Sequence, residues 1–262
     1  MTPKIAPTND GRIGGPPFRI FLDFDGTLVD PNVAILLVER FADDGVRVAH
    51  EVDLQLHRGE LTLRQAWDRQ AALLRWEQIP GMTDFVVREI PLREGARQLL
   101  DLIATYHVPT VVVSGGLDFY IRAVLEREGI ALPFLSDAAL PGEGGRLRVE
   151  HTYGHAVCRQ CGICKAQVVR GPLPPAQRTI FVGDGSTDRF AAEVADIVFA
   201  RGRLLQYCQK SGIPSFPFED FGPVTTRLTA WLEGTEPTPP GFAQGLGDSI
   251  CPISRDINSA AH

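Results

Sequence analysis

The chain has 262 residues, 44% of them hydrophobic and 22% charged, with 26 basic against 32 acidic side chains and a net charge of -6. This balance suits a globular protein with a sizeable core and carries no basic footprint for nucleic acid. No stretch approaches the ~18 apolar residues of a membrane helix. The N-terminal "MTPKIAPTNDGRIGGPP" has no apolar signal core, so the five cysteines read as reduced thiols of a cytoplasmic protein.

In chain order, residues 1–17 are rich in Gly, Pro and polar side chains and read as a flexible leader. "FRIFLDF" (18–24) is apolar on both faces, as are "VPTVVVS" (108–114), "RTIFVGD" (178–184) and "DIVFA" (196–200). Such runs are strands buried in a parallel sheet. Ala96, Leu99, Leu100 and Ile103 form one helical stripe, and Leu117, Ile121, Val124 and Leu125 another. Strand–helix alternation of this kind predicts an α/β sheet covered by helices.

Between residues 31 and 90 the alternation stops. This interval is too long for a structureless loop, and it has helical rather than strand character. Leu63, Trp67, Ala71 and Leu74 fit one helix face, and Thr83–Ile90 another helix. The expected organisation is a core over 18–30 and 91–233, a helical insert over 31–90 and a flexible tail over 234–262. The Gly-rich middle of "SDAALPGEGGRLRVEHTYG" (136–154) predicts a β-hairpin.

In an open parallel sheet, ligands bind beyond the carboxyl ends of the strands. The polar residues gather there: Asp23-Phe24-Asp25-Gly26-Thr27 after the first strand, Ser114-Gly115-Gly116 after the second, and Gly183-Asp184-Gly185-Ser186-Thr187-Asp188 after the third. Each alone is an ordinary turn. Asp23 and Asp25 lie two apart on an extended strand, so they face one way, roughly 6.6 Å apart along the chain. Two neighbouring acids need a cation or a shared proton.

The pieces "DFDGT", "VVVSGG", Lys165 and "GDGSTD", in that order, resemble the four motifs of the haloacid dehalogenase superfamily of phosphohydrolases. The resemblance spans about Phe18 to Trp231 and implies a Rossmann-like core, with the 31–90 insert as a small type-1 cap. It further implies that Asp23 attacks phosphorus and that Asp25 acts as acid and base. Mg²⁺ is expected on Asp23, the backbone carbonyl of Asp25 and Asp184; oxygen-only ligation of that sort suits it. Thr27, Ser114, Gly115 and Lys165 are the expected phosphate-holding residues, supported by Gly185 and by Asp188. An acid at position 25 favours a phosphatase over a dehalogenase, because halide leaves without a proton. The expected partner is a small phosphorylated metabolite, with neither nucleic acid nor membrane, and oligomeric state is not readable. A phosphate-binding protein without catalysis and phosphotransfer to an alcohol are the competing readings.

"CRQCGICK", "SGGLDFYI" and "FARGRLLQYCQKSGIPSFPFEDF" resemble the methionine-salvage phosphatases, relatives of the phosphoserine phosphatases. A phosphoserine enzyme's cap offers an acid soon after the first motif. Pro31, Asn32 and Val33 stand there instead. Trp67, Trp76, Met82 and Phe85 could contact a methylthio chain, although a cap core explains them better. Arg58 and Arg64 could steady an anion or simply face solvent. A structural Zn²⁺ at Cys158, Cys161 and Cys164 is the minor reading, because the distant second pair of ligands is missing. Cys208 and Cys251 read as unrelated to that cluster.

Overall fold

The structure, a computed structural model, describes residues 17–171, 177–242 and 249–252. The leader, apart from Pro17, and the tail segments 243–248 and 253–262 lie outside the described residues.

Among the described residues, seven strands form one sheet: β1 (Phe18–Leu22), β2 (Thr110–Leu117), β3 (Phe134–Pro141), β4 (Leu147–Glu150), β5 (Arg178–Gly183), β6 (Ile197–Ala200) and β7 (Phe216–Pro217). Their order is β4-β3-β2-β1-β5-β6-β7. Every neighbouring pair is parallel except β3–β4, which is the expected hairpin. β1 is central, with Leu22 in register with Val112 on one side and Val182 on the other. The carboxyl ends of β1, β2 and β5 therefore lie together.

Both sheet faces are apolar for a reason visible residue by residue. Ile20, Leu22, Val112, Ile180, Val182 and Phe199 join one buried cluster, while Phe21, Val113, Phe181 and Val198 join another. Successive strand residues point to opposite faces, so each needs its own helical cover. Fully burying one such side chain contributes about 1.5–3 kcal/mol.

Core helices are α5 (Ala96–Thr105), α6 (Asp118–Arg127), α7 (Lys165–Val169), α8 (Arg189–Ala192), α9 (Gly202–Ser211) and α10 (Gly222–Glu233). The stripes of α5 and α6 bury Ala96, Leu99 and Ile103, and Ile121, Val124 and Leu125. Leu117 belongs to β2 rather than to the second stripe. The 31–90 interval contains α1 (Val33–Phe41), α2 (Gly45–His57), α3 (Leu63–Ala71) and α4 (Ile79–Glu89). Asn32 starts α1 by accepting from the Ile35 amide at 3.1 Å. Thr62 and Gln65 form a reciprocal capping box on α3. α4 begins four residues before the predicted Thr83, because Pro80 is tolerated in the first turn of a helix. Met82 is fully buried and Phe85 packs on the same cluster, edge-on to Phe41. Those two form the insert's own packing. Trp76 is 39% exposed.

Candidate active site

The geometry starts at the end of β1. The Asp23 amide donates to the Val182 carbonyl at 2.9 Å, carrying the sheet pairing one residue past β1. The chain then turns at Gly26, whose φ of +77° lies in the left-handed region, and a Cβ there would sit 2.5 Å from Asp184 Oδ2. Glycine is thus required both by the turn and by the approach of the two acidic segments. Arg93 donates to the Gly26 carbonyl at 2.7 Å and to the Thr27 carbonyl at 2.9 Å, and Arg201 also reaches Gly26 at 2.8 Å. Neither arginine was singled out in the sequence. Their partners are remote along the chain, and no spacing announces them.

Lys165, the first residue of α7, is buried and donates to Asp23 Oδ1 and, at 2.6 Å, to Asp188 Oδ1. Burial would lower its pKa, but the two carboxylates outweigh that and raise it. Asp188 accepts from the Asp184 and Gly185 amides, both at 2.9 Å, which fixes the turn after β5. Asp184 in turn accepts from the Thr27 hydroxyl at 3.0 Å. Burial, reinforced by the Asp188 charge, pushes Asp184 up to about 6 and raises Asp23 as well.

One oxygen from each of Asp23, Asp184 and Asp188 lies within 4.8 Å of the others. Asp23 and Asp188 are buried and Asp184 half-buried, and three carboxylates facing the single Lys165 ammonium carry two negative charges in excess of it when all are ionised. That surplus, and an all-oxygen donor set, fit a hard divalent cation such as Mg²⁺. Asp188, expected only to support, is thus a third candidate carboxylate ligand.

Asp25 has different surroundings. Its Oδ1 accepts from the Val33 and Ala34 amides at 3.0 and 3.3 Å, at the start of α1. Its Oδ2 accepts from Ser114 Oγ at 3.1 Å and Tyr120 Oη at 2.7 Å. Burial raises its pKa, and these donors oppose the rise. Tyr120 is fully buried, and a Cβ at Gly116 would lie 1.7 Å from its hydroxyl. Tyr120 was missed as a site residue, although "SGGLDFYI" contains it. An aromatic on a helix reads first as core. Ser114 accepts from the Gly116 amide at 3.0 Å and is turned toward Asp25. A Cβ at Gly115 would meet nothing within 4 Å, so that position borders open space.

Away from the β1 end, His151 stands between the carboxylates of Asp137 and Asp68 and, when protonated, donates to both, each at 2.9 Å. Burial lowers its pKa, yet bonds and charge from both acids raise it to about 9. Cys158, Cys161 and Cys164 follow along the loop to α7, and Cys251 lies with them around a small cavity. The expectation that Cys251 is unrelated is wrong, because the chain returns there after β7 and α10. Burial and the neighbouring thiols of Cys164, Cys158 and Cys251 push Cys161 up to about 12. Cys208 lies apart, buried near Ser215.

The family model for haloacid dehalogenase-like hydrolases matches residues 20–193. The chain belongs to the haloacid dehalogenase-like hydrolases. A 2-hydroxy-3-keto-5-methylthiopentenyl-1-phosphate phosphatase from an Exiguobacterium species is 32% identical over 220 residues, covering 82% of this chain and 97% of that one. A protein of the same name from Geobacillus kaustophilus is 30% identical, covering 80% of this chain and 94% of its own. Among solved structures, a phospho-aspartyl intermediate analogue of phosphoserine phosphatase matches with a TM-score of 0.61 and 21% identity, over 80% of this chain and 98% of that chain. At that identity the likeness is one of fold. It agrees with the Rossmann-like sheet, and the family's hydrolytic chemistry agrees with an acid pair, a lysine and a third acid at the strand ends.

Proposed function

We propose that this chain is a Mg²⁺-dependent phosphomonoesterase that hydrolyses 2-hydroxy-3-keto-5-methylthiopentenyl-1-phosphate through an aspartyl phosphate on Asp23. The observation that carries the reaction class is the close set of Asp23, Asp184, Asp188 and Lys165. The substrate is the one named for relatives at 32% and 30% identity that match four-fifths of this chain.

Asp23, Asp184 and Asp188 would hold Mg²⁺, with the Asp25 carbonyl as a further oxygen, and the ion would offset the charge of the transferring phosphoryl group. Asp23 attacks phosphorus, and Lys165 keeps the nucleophile ionised while remaining a donor for phosphoryl oxygens. Thr27 bonds Asp184, Ser114 bonds Asp25, and Gly115 lies next to open space, which supports their reading as phosphate-holding residues. Asp25 protonates the leaving oxygen and, once a carboxylate, takes a proton from water as the aspartyl phosphate hydrolyses. A carboxylate has about four acceptor sites, and four donors already occupy those of Asp25. One hydroxyl partner, Ser114 or Tyr120, therefore has to give way when substrate enters.

The start of α1 supports the methylthio ester over phosphoserine. Asn32 is engaged in capping, and the amides of Val33 and Ala34 hold Asp25, so no acid there awaits an ammonium group.

The test is Mg²⁺-dependent phosphate release on the methylthio enol phosphate, phosphoserine and a panel of metabolite esters. A preference of about 10²-fold in kcat/KM for the enol phosphate, about 2.7 kcal/mol in transition-state binding, is the expected result. An equal preference for phosphoserine would remove the substrate assignment and leave the chemistry standing. Absence of turnover on every ester would remove both.

A further inference from the structure

Phosphate chemistry uses Lys165 but not the cysteines that precede it. Residues 151–164 run from β4 to α7 without helix or strand, and Cys158, Cys161 and Cys164 recur at every third position of that loop. The missing ligand of the sequence pattern is supplied from the far end of the chain. Cys251, buried and followed by Pro252, lines the same cavity as the three loop cysteines, together with His155, Ala166, Thr187 and Phe190.

We propose that Cys158, Cys161, Cys164 and Cys251 bind one Zn²⁺ as a tetrathiolate centre that anchors the loop delivering Lys165.

Four features on the structure lead there. The cavity has room of about 10 Å³, close to one water-sized body, which suits a single ion and not a multinuclear cluster. The donor set is all sulfur, which selects zinc over the hard cations that the carboxylate site would hold. His155 is nearby but is not the fourth ligand. Its Nδ1 accepts from the Val157 and Cys158 amides at 3.2 and 2.9 Å, so the neutral ring carries its proton on Nε2 and shapes the loop instead. Finally, donors and a cation face two of the sulfurs, although burial holds the free Cys161 and Cys164 thiols protonated. The Ala166 and Gln167 amides donate to the Cys164 sulfur, and the Arg189 charge favours the Cys161 thiolate. Arg189 Nε is buried without a hydrogen-bond partner, a cation placed beside a group that becomes negative on binding. Each thiol that binds zinc releases its proton to solvent.

Among the described residues, no three of these sulfurs lie within 4.8 Å of one another, the spacing that the carboxylate triad meets. The ion would therefore draw the loop closed onto the Cys251 segment. Cys164 immediately precedes Lys165, so tightening this loop fixes the start of α7 and the ammonium that Asp23 and Asp188 share.

The readout is metal content, which is independent of any phosphatase substrate. The full chain, grown with zinc and purified without chelator, should carry about one Zn²⁺ per chain by mass spectrometry. Cys161→Ser and Cys251→Ser should each fall below about a tenth of that stoichiometry, while Cys208→Ser, outside the cluster, keeps it. Because a buried serine could unfold the loop, the unmutated protein is also reconstituted with Co²⁺. It should then show the intense ligand-field bands of a tetrahedral sulfur site and a sulfur-to-metal charge-transfer band. Wild-type protein that holds neither zinc nor cobalt overturns the proposal, as does zinc that survives Cys251→Ser. Iron with labile sulfide would replace the single ion by a cluster and overturn it equally.

Discussion

At Asp25 both carboxylate oxygens are occupied by four donors, whereas Asp23, two residues earlier, bonds Lys165 and lies beside two other acids. The same residue type is thereby given two jobs by its neighbours. Asp23→Asn keeps an acceptor for Lys165 but loses the nucleophile. It should fold normally by circular dichroism while kcat falls on the order of 10³-fold or more; near-normal turnover would sink the aspartyl-phosphate route. Tyr120→Phe removes one donor from Asp25 and leaves Ser114 in place. Phosphate release should slow about 10-fold, or about 1.4 kcal/mol in barrier, with KM within about twofold. A rise in KM at constant kcat would instead make Tyr120 a binding residue. At this scale the motif acids and Lys165 were legible because their chemistry forces short, ordered patterns on strand ends. Tyr120, Arg93 and Arg201 were not, since each acts on a partner far away in sequence and each residue type has an ordinary packing or surface explanation.

Elements carry a different part of the design. The hairpin of β3 and β4 contributes Asp137, the chain leaving β4 contributes His151, and α3 of the helical insert contributes Asp68. His151 thereby ties the β3–β4 hairpin to α3. Its folded pKa of about 9 lies above the ordinary 6.5. A raised histidine stabilises the fold fully below the unfolded value and ceases to do so as pH rises through the folded one. His151→Gln should therefore be less stable than wild type by about 2 kcal/mol near pH 6, because buried Asp137 loses its cation. The gap should close between about pH 6.5 and 9 in urea denaturation. A gap that persists unchanged at pH 10 would show that His151 acts by shape alone. The helices between residues 31 and 90 were legible as an interruption of the strand–helix pattern. β7 was not, because two residues hold no periodicity, and β3 was read only as half of a hairpin although it also pairs parallel with β2.

On the scale of the whole molecule, the chain is acidic at -6, and three of its carboxylates crowd around one lysine. The fold holds them against their own repulsion, and the sign of that strain is testable. An aspartate whose folded pKa is raised destabilises the protein once pH exceeds the unfolded value, and does so fully above the folded one. For Asp184, raised to about 6, the penalty grows from the ordinary carboxylate range up to that pH and is complete at neutrality. A dication bound there removes the repulsion and adds its own binding energy. Mg²⁺ at 100 times its dissociation constant should add about 2.7 kcal/mol to unfolding, a rise of roughly 5–10 °C in Tm for a chain of this size. EDTA should abolish that rise together with phosphate release. Asp184→Asn separates the two contributions, because it removes a ligand and a repelling charge at once. It should show no Mg²⁺-dependent rise in Tm, and in EDTA it should melt above the wild type at pH 7.5. If the variant keeps the full Mg²⁺ response, the ion binds elsewhere. If it melts below the wild type in EDTA, the bond from Thr27 to Asp184 outweighs the repulsion, and the acids are held by hydrogen bonding rather than awaiting a cation.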